Sequence, residues 1–171
     1  MKTRLLVMSL IFFLLPLAAL SQVFTETTSS ITGYSNGKTA WGDYDNDGDL
    51  DILICGLDDE GTPESKIYRN DGNGNFTDQT HIGLIGLADG DCGWQDYDGD
   101  GYLDILLTGA DQADIPQSVI YRNTGSNSFT RQTGIVLTGL FNGSADWGDY
   151  DNDGDPDILT VSYTHLTLPT N

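Results

Sequence analysis

Short apolar runs separated by polar turns are the main pattern along this chain. Residues 50–54 and 103–108 are mostly apolar over the length of a β-strand, which is typical of strands buried on both faces of a sheet. A run of this kind follows a group of acidic residues, and a shorter strand-like segment lies on the other side of that group, for example at 92–94 and 145–147. The pattern therefore predicts pairs of inner strands joined by acidic loops.

A hairpin signature follows each of the two runs. Residues 66–69 and 118–121 have the pattern of a third strand, and each is followed by a turn rich in Asn and Gly, residues that tolerate positive φ. A Phe-Thr pair at 76–77 and again at 129–130 begins a fourth strand, and an isolated copy of that strand is predicted at 23–27. The chain is thus predicted to consist of four-stranded antiparallel units.

The unit repeats with a fixed period. Trp41, Trp94 and Trp147 lie 53 positions apart, and the acidic loop that follows each keeps the same spacing. Four antiparallel strands in a repeat of this length are typical of a β-propeller blade. The copies span about residues 24–75, 76–128 and 129–159. A propeller needs roughly 4 to 8 blades, so we predict an all-β fold, an incomplete set of propeller blades from a longer protein.

The N-terminus has the features of a secretory signal peptide, predicted as residues 1–21. Lys2 and Arg4 precede an apolar run at 5–15, and small residues precede the predicted cleavage before Gln22. The alternative is an uncleaved anchor, although the run is short beside the roughly 20 apolar residues of a membrane span. We expect export from a bacterial cell to the outside or the cell surface, with no membrane-spanning segment after cleavage.

Two features beside the repeat region, residues 22–159, stay open at this point. Residues 160–171 match neither earlier repeat, and we interpret them as an atypical tail of the kind that an artefactual end would give. Cys55 and Cys92 are the two cysteines. An oxidising compartment would permit a disulfide between them, and two small buried apolar side chains are an equally good interpretation.

Charge changes this picture by excluding whole classes of partner. The chain has 26 acidic and 7 basic side chains, for a formal net charge of −19. That balance argues against nucleic-acid binding, which needs a basic surface, and against docking on anionic membranes. All acids except Glu26, Glu60 and Glu64 are Asp. Asp competes with helical backbone and favours turns, so the acidity belongs to loops.

Three of these loops share the pattern D-x-D-x-D-G-x-x-D, at residues 43–51, 96–104 and 149–157. Carboxylates at loop positions 1, 3 and 5 can converge, Gly at position 6 permits a sharp turn, and the carbonyl at position 7 adds an oxygen. Asp at position 9 closes the site. Such an all-oxygen set suits Ca²⁺, which takes 6–8 oxygen ligands. Without a cation, these carboxylates would repel one another.

The loops differ from other metal motifs and from a plain acidic turn. An EF-hand needs a Glu at loop position 12, where this chain has Ile54, Leu107 and Thr160. Mg²⁺ demands stricter octahedral geometry and keeps its water, and zinc is disfavoured because no His or Cys joins the set. A solvated turn without metal is a poor explanation for three copies at one period.

Residues 41–53, with the sequence WGDYDNDGDLDIL, closely resemble the FG-GAP-like or VCBS-type repeat, which is related to the calcium-binding blades of the integrin α-chain propeller. The resemblance implies a fragment of a seven-bladed type of propeller in which each loop joins the inner two strands and holds one calcium. Pro156 departs from the Leu of the other loops. The implied ligands are Asp43, Asp45, Asp47, Asp49 and Asp51; Asp96, Asp98, Asp100, Tyr102 and Asp104; and Asp149, Asp151, Asp153, Asp155 and Asp157.

The resemblance also implies a function. Together with the signal peptide, it predicts an exported, calcium-binding and non-enzymatic module for adhesion or for binding an unknown protein or carbohydrate ligand, its missing blades lying in a longer chain. One rival is the non-catalytic propeller part of a larger secreted polysaccharide lyase or hydrolase. Another is calcium-dependent assembly of several chains into a ring. No Ser-His-Asp arrangement or phosphate-binding loop is visible in the sequence.

The recurring aromatic residues allow two interpretations. Tyr44, Tyr97 and Tyr150 follow the first Asp of each loop and would either stack on a sugar or pack against the neighbouring blade, which we favour. The three repeated tryptophans are predicted to lie in the core.

Overall fold

The computed structural model describes residues 30–162 and the backbone of 166–167. All its regular structure in that part of the chain is β, with the strands β1 Ser35–Gly42, β2 Asp51–Leu57, β3 Pro63–Asn70, β4 Phe76–Asp78, β5 Cys92–Gln95, β6 Asp104–Ala110, β7 Pro116–Asn123, β8 Phe129–Arg131, β9 Gly143–Gly148, β10 Asp157–Ser162 and β11 Leu166–Thr167.

The strands form three open antiparallel sheets. The first is ordered β1-β2-β3-β4 and the second β5-β6-β7-β8, while the third is ordered β11-β10-β9 within the described residues. Neighbours in each sheet are consecutive in the chain, so each sheet is a meander. This arrangement confirms the predicted all-β fold built from incomplete propeller blades. We call the three sheets blades 1, 2 and 3.

The second strand of each complete blade is its most buried element. Every residue of β6 is buried, as are all residues of β2 except Leu57, which confirms the interpretation of the apolar runs. These strands extend two or three residues beyond the predicted runs, and each includes a glycine at a close contact with another segment of backbone. A Cβ on Gly109 would lie 2.5 Å from the carbonyl oxygen of Ala88, and this glycine has a φ of 147°.

The main core lies between blades 1 and 2. Leu53 and Ile67 of the first blade pack with Ile105 and Leu107 of the second in one buried cluster. Tyr44 is completely buried in it. These contacts fix the face of blade 1 against blade 2, and they hold the adjacent ends of the two blades side by side.

Aromatic stacking joins each blade to the next. The ring of Tyr44 stacks on that of Trp94, with centroids 6.0 Å apart, and Tyr97 stacks on Trp147 at 6.4 Å. The contact therefore joins the tyrosine of one blade to the tryptophan of the following blade, as predicted for the tyrosines. Tyr150 departs from this pattern, since it is 68% exposed.

The prediction that all three tryptophans lie in the core is wrong for Trp41. Its side chain is 59% exposed, whereas Trp94 and Trp147 are half-buried. The reason is positional. A tryptophan is covered by the tyrosine of the preceding blade, and no such tyrosine precedes Trp41 among the described residues.

Several sequence-based predictions lie outside the described residues. They are the signal peptide at 1–21, the isolated strand at 23–27 and most of the tail at 160–171. Within the tail, Thr160 and Val161 belong to β10 and pair with β11. Cys55 and Cys92 are buried and both thiols are free. No helix among the described residues is long and apolar enough to cross a membrane.

Candidate metal sites

The three acidic loops each connect the two inner strands of a blade. Loop 1 (residues 43–51) runs from β1 to β2, loop 2 (96–104) from β5 to β6, and loop 3 (149–157) from β9 to β10. Strand pairing on both sides brings the two ends of every loop together, for Gly42 pairs with Asp51 and Gly148 with Asp157. The hairpin therefore places loop positions 1 and 9 next to each other.

The first Asp of each loop organises the turn through backbone donors. In loop 1, Asp43 accepts hydrogen bonds from the N–H groups of Asp47 and Gly48, both at 3.0 Å. Loop 2 repeats these bonds to Asp96, at 3.1 and 2.9 Å. Gly48 has a φ of 94°, a conformation that favours glycine. The glycine at position 6 thus lets the loop fold back over its first carboxylate.

The last Asp of each loop accepts hydrogen bonds from backbone N–H groups, two in each of loops 1 and 2 and, among the described residues, one in loop 3. Asp51 is fully buried and accepts hydrogen bonds from the N–H of Tyr44 at 3.2 Å and of Asn70 at 2.8 Å. The carboxylate of Asp104 is buried in the same way in loop 2. Asp157 of loop 3 accepts a bond from Tyr150 at 2.9 Å. Position 9 is therefore fixed in orientation.

Burial makes the closing carboxyl groups of loops 1 and 2 hard to ionise. Burial raises the pKa of both Asp51 and Asp104 to about 6, and nearby loop carboxylates add to the shift, while backbone N–H donors oppose it. The pKa of Asp45 is raised too, first by burial and then by the charge of Asp47. A divalent cation in the loop would favour the charged form of each of these groups.

Carboxylate oxygens from loop positions 1, 3 and 9 converge in every loop. In each group, one oxygen from each Asp lies within 4.8 Å of the others. The three groups are Asp43, Asp45 and Asp51; Asp96, Asp98 and Asp104; and Asp149, Asp151 and Asp157. Each group could hold a metal ion, and each consists only of hard oxygen donors, the chemistry preferred by calcium and magnesium.

The predicted ligands at loop positions 5 and 7 lie outside the three groups of converging carboxylates. The carboxylates of Asp47, Asp100 and Asp153 are not part of the converging groups. Each accepts a hydrogen bond from the N–H of the position-7 residue, at 3.0 Å from Asp49, 3.0 Å from Tyr102 and 2.9 Å from Asp155. These bonds shape the second half of the loop, and the roles of these six residues as ligands stay predictions.

Two arginines that sequence reasoning missed contact the loops from the third strand. Arg69 forms ion pairs with Asp45 at 2.8 Å and Asp47 at 3.0 Å. Arg122 pairs in the same way with Asp98, and with Asp100 at 2.9 Å. The recurring Tyr-Arg-Asn segment was the signal that could have identified them. Each arginine holds the position-3 and position-5 carboxylates together and offsets part of their repulsion.

Arg69 contacts only one of the two carboxylate oxygens of Asp45. Arg69 pairs with Oδ2, while Oδ1 is buried and accepts no hydrogen bond. A buried carboxylate oxygen without a partner is costly, and a cation held together with Asp43 and Asp51 would supply the missing interaction. The residues of loop 1 therefore fit a bound metal ion.

A family model described as FG-GAP-like repeat matches residues 43–107 and again 96–160. The chain belongs to the FG-GAP-like repeat family. Each match begins at the first Asp of a loop and extends through the next loop into the strand that follows it, so each matched segment includes two acidic loops and the hairpin between them. Comparison with curated proteins found no match, and comparison with solved structures found none either.

Proposed function

We propose that this chain is an exported calcium-binding module of FG-GAP-like propeller blades, without catalytic activity of its own. The observation that carries the proposal is the same convergence of three carboxylates at the same place in three blades. A surface acidic cluster that arose without selection for a ligand would have no reason to keep this geometry at a 53-residue period.

Calcium is the cation that this donor set suits best. The loop supplies carboxylates from positions 1, 3 and 9, and we propose that position 5 and the carbonyl of position 7 complete the protein ligands, with water filling the rest. Calcium accepts 6–8 such oxygens in irregular geometry, whereas magnesium requires a near-ideal octahedron. The converging groups contain no His or Cys, which disfavours zinc.

The proposed role of the ion is structural. It would neutralise buried carboxylates such as Asp51 and tie the two inner strands of each blade together. Calcium sites of extracellular modules bind at roughly 10⁻⁴–10⁻³ M, so they fill outside the cell and stay largely empty in cytosol. The signal-like residues 1–21 support export, and export would then couple loading of the sites to folding.

Adhesion or ligand binding at a cell surface is the function we propose for the assembled blades. The family supports a binding or structural role more than a catalytic one. The strongly acidic composition disfavours anionic partners, so a protein or carbohydrate ligand is the partner class that we propose.

Calorimetric titration of chelator-treated protein tests the calcium proposal. We expect up to three calcium ions to bind per chain at millimolar concentration, with weaker binding of magnesium. Asp45→Asn, Asp98→Asn and Asp151→Asn should each remove about one equivalent. A folded sample, verified by its β-type circular dichroism, that binds no calcium at millimolar concentration would refute the proposal.

A further inference from the structure

A buried asparagine connects loop 1 to loop 2. Asn123 lies at the end of β7 and is 1% exposed. Its side-chain amide donates to the carbonyl oxygen of Tyr44 in loop 1 at 2.9 Å and to that of Leu103 in loop 2 at 3.2 Å. Its backbone N–H donates to Oδ1 of Asp104 at 2.7 Å. One residue therefore bonds to both loops.

The connection continues to the closing carboxylate of loop 1. The N–H of Tyr44 donates to Oδ2 of Asp51 at 3.2 Å. Asp51 and Asp104 are thus joined through the backbone N–H and carbonyl of Tyr44 and through the side chain and N–H of Asn123. All four residues are buried, so water does not compete for these bonds, and a hydrogen bond is electrostatically stronger in such a low-dielectric interior than in water.

We propose that loops 1 and 2 bind calcium cooperatively, with Asn123 as the residue that couples them. This inference rests on the proposed calcium binding. Calcium at loop 2 fixes Asp104, and through it the backbone and amide of Asn123. The amide then holds the carbonyl of Tyr44 and so restrains the backbone of this residue, whose N–H donates to Asp51, which lowers the cost of assembling loop 1. By linkage, calcium at loop 1 favours loop 2 by the same factor.

A second contact joins the same two loops at the surface. The amide of Asn46 donates to the carbonyl oxygen of Gly101 at 2.9 Å. Asn46 lies between two proposed ligands of loop 1, and the N–H of Gly101 donates to Asp96 of loop 2. Because this bond is exposed, it contributes less to the coupling than the buried one.

Loops 2 and 3 offer an internal comparison. Gly99 occupies the position that Asn46 has in loop 1, and it has no side chain to reach the next loop. No hydrogen bond between residues that the structure describes joins loop 2 to loop 3. This pair is expected to bind calcium independently, apart from repulsion between the two ions.

Asn70 is a matched control for Asn123. It occupies the same place in blade 1, donates its N–H to Asp51 at 2.8 Å and donates its amide to the carbonyl of Leu50 at 3.1 Å. Among the described residues it has no bond to a preceding loop. Its truncation therefore removes the local contacts of one site without removing a connection between sites.

The test measures a coupling factor in the full chain. Asp149→Ala silences loop 3, and Asp43→Ala or Asp96→Ala then leaves one site. The factor is the product of the two stepwise calcium binding constants in the two-site protein, divided by the product of the two single-site constants. The binding constants are measured by calorimetry at about 0.15 M ionic strength. At this salt concentration the Debye length is about 8 Å, which limits the repulsion between the two bound calcium ions.

We expect a factor of about five or more, within the usual range of coupling between sites. Asn123→Ala should reduce it to one or below, whereas Asn70→Ala should weaken loop 1 and leave the factor unchanged. Asn46→Ala, at an exposed position that does not threaten folding, should reduce the factor in part.

The outcomes separate this inference from the calcium proposal. Calcium binding with a factor of one in the two-site protein overturns cooperativity and leaves the proposed function intact. A factor above one that survives Asn123→Ala overturns the assignment of the coupling to Asn123. If Asn123→Ala does not fold, Asn123→Ser replaces it, because the shorter hydroxyl side chain loses the bond to the Tyr44 carbonyl while the backbone N–H to Asp104 stays. Folded protein that binds no calcium refutes both.

Discussion

Tyr44 gives the sharpest test of how the blades are held together. Its ring is completely buried and lies against the rings of Trp94 and Phe129 of the next blade, with centroid distances of 6.0 and 5.9 Å. Truncation of a buried aromatic side chain costs about 3–5 kcal/mol. We expect Tyr44→Ala to lower the free energy of unfolding by that amount, because the surrounding strands cannot collapse into the space.

Removal of the Tyr44 hydroxyl alone is expected to have the opposite effect on stability from removal of the whole ring. The Tyr44 oxygen is buried and has no hydrogen-bond partner, and burial raises the pKa of the phenol above its ordinary value. Removing an unsatisfied buried polar group relieves a desolvation cost of about 1–3 kcal/mol. Tyr44→Phe should therefore be neutral or stabilising, in contrast to the usual loss when a tyrosine hydroxyl is removed.

Tyr150 supplies the control, since it occupies the same repeat position but is 68% exposed. Tyr150→Ala should change stability by less than about 0.5 kcal/mol, as for ordinary surface substitutions. The assay is urea unfolding in millimolar calcium, followed by tryptophan fluorescence, to which the stacked Trp94 contributes. A loss below about 1 kcal/mol for Tyr44→Ala, or equal losses for the two alanine variants, would refute the packing argument.

Three further predictions concern the loops. The pKa of about 6 for Asp51 and Asp104 lies above that of an Asp in the unfolded chain. Their contribution to the stability of calcium-free protein is therefore present below about pH 4 and lost as pH rises through about 6. Thermal melts at a series of pH values should show this loss of stability, which Asp51→Asn should reduce and calcium should offset at pH 7. Arg69→Lys keeps the positive charge but lacks the planar guanidinium that can bond two carboxylates at once. Amide hydrogen exchange of loop 1 in the presence of chelator should therefore be as fast in this variant as in Arg69→Gln. Wild-type protection in the lysine variant would refute a positioning role for Arg69. Gly48→Ala places a Cβ in open space at a φ of 94°, so backbone strain alone should lower the free energy of unfolding by about 1 kcal/mol. Gly134→Ala is the control, because its Cβ also lies in open space but its φ is not positive. This variant should leave the free energy of unfolding unchanged in the same denaturation assay.

Local features of the chain were predictable because local interactions form them. The Asn- and Gly-rich turns, the apolar runs of β2 and β6 and the glycine at loop position 6 depend on residues close in sequence. The convergence of Asp43, Asp45 and Asp51 belongs to the same class, because one hairpin brings both ends of the loop together. The family followed from the same short motif.

Other contacts at the loops could not be predicted from a loop sequence. Arg69 reaches Asp45 from a strand that begins after a further hairpin, and the bond from Asn123 to Tyr44 spans 79 positions. Such contacts depend on how one strand lies over another and how one blade lies against the next. A sequence motif identifies these residues as recurrent but does not give their partners.

The antiparallel four-stranded blade and the loop whose carboxylates converge could be predicted from the amino-acid sequence, since both are encoded within one 53-residue unit that recurs along the chain. What equivalent residues do in different units depends on the packing of one blade against another. Tyr44 is buried while Tyr150 is exposed, Trp94 is covered while Trp41 is not, and Asn123 bridges two loops while Asn70 serves one. The physical reason is that burial and hydrogen bonding at a blade's face depend on the neighbouring blade, and identical sequence positions have different neighbours.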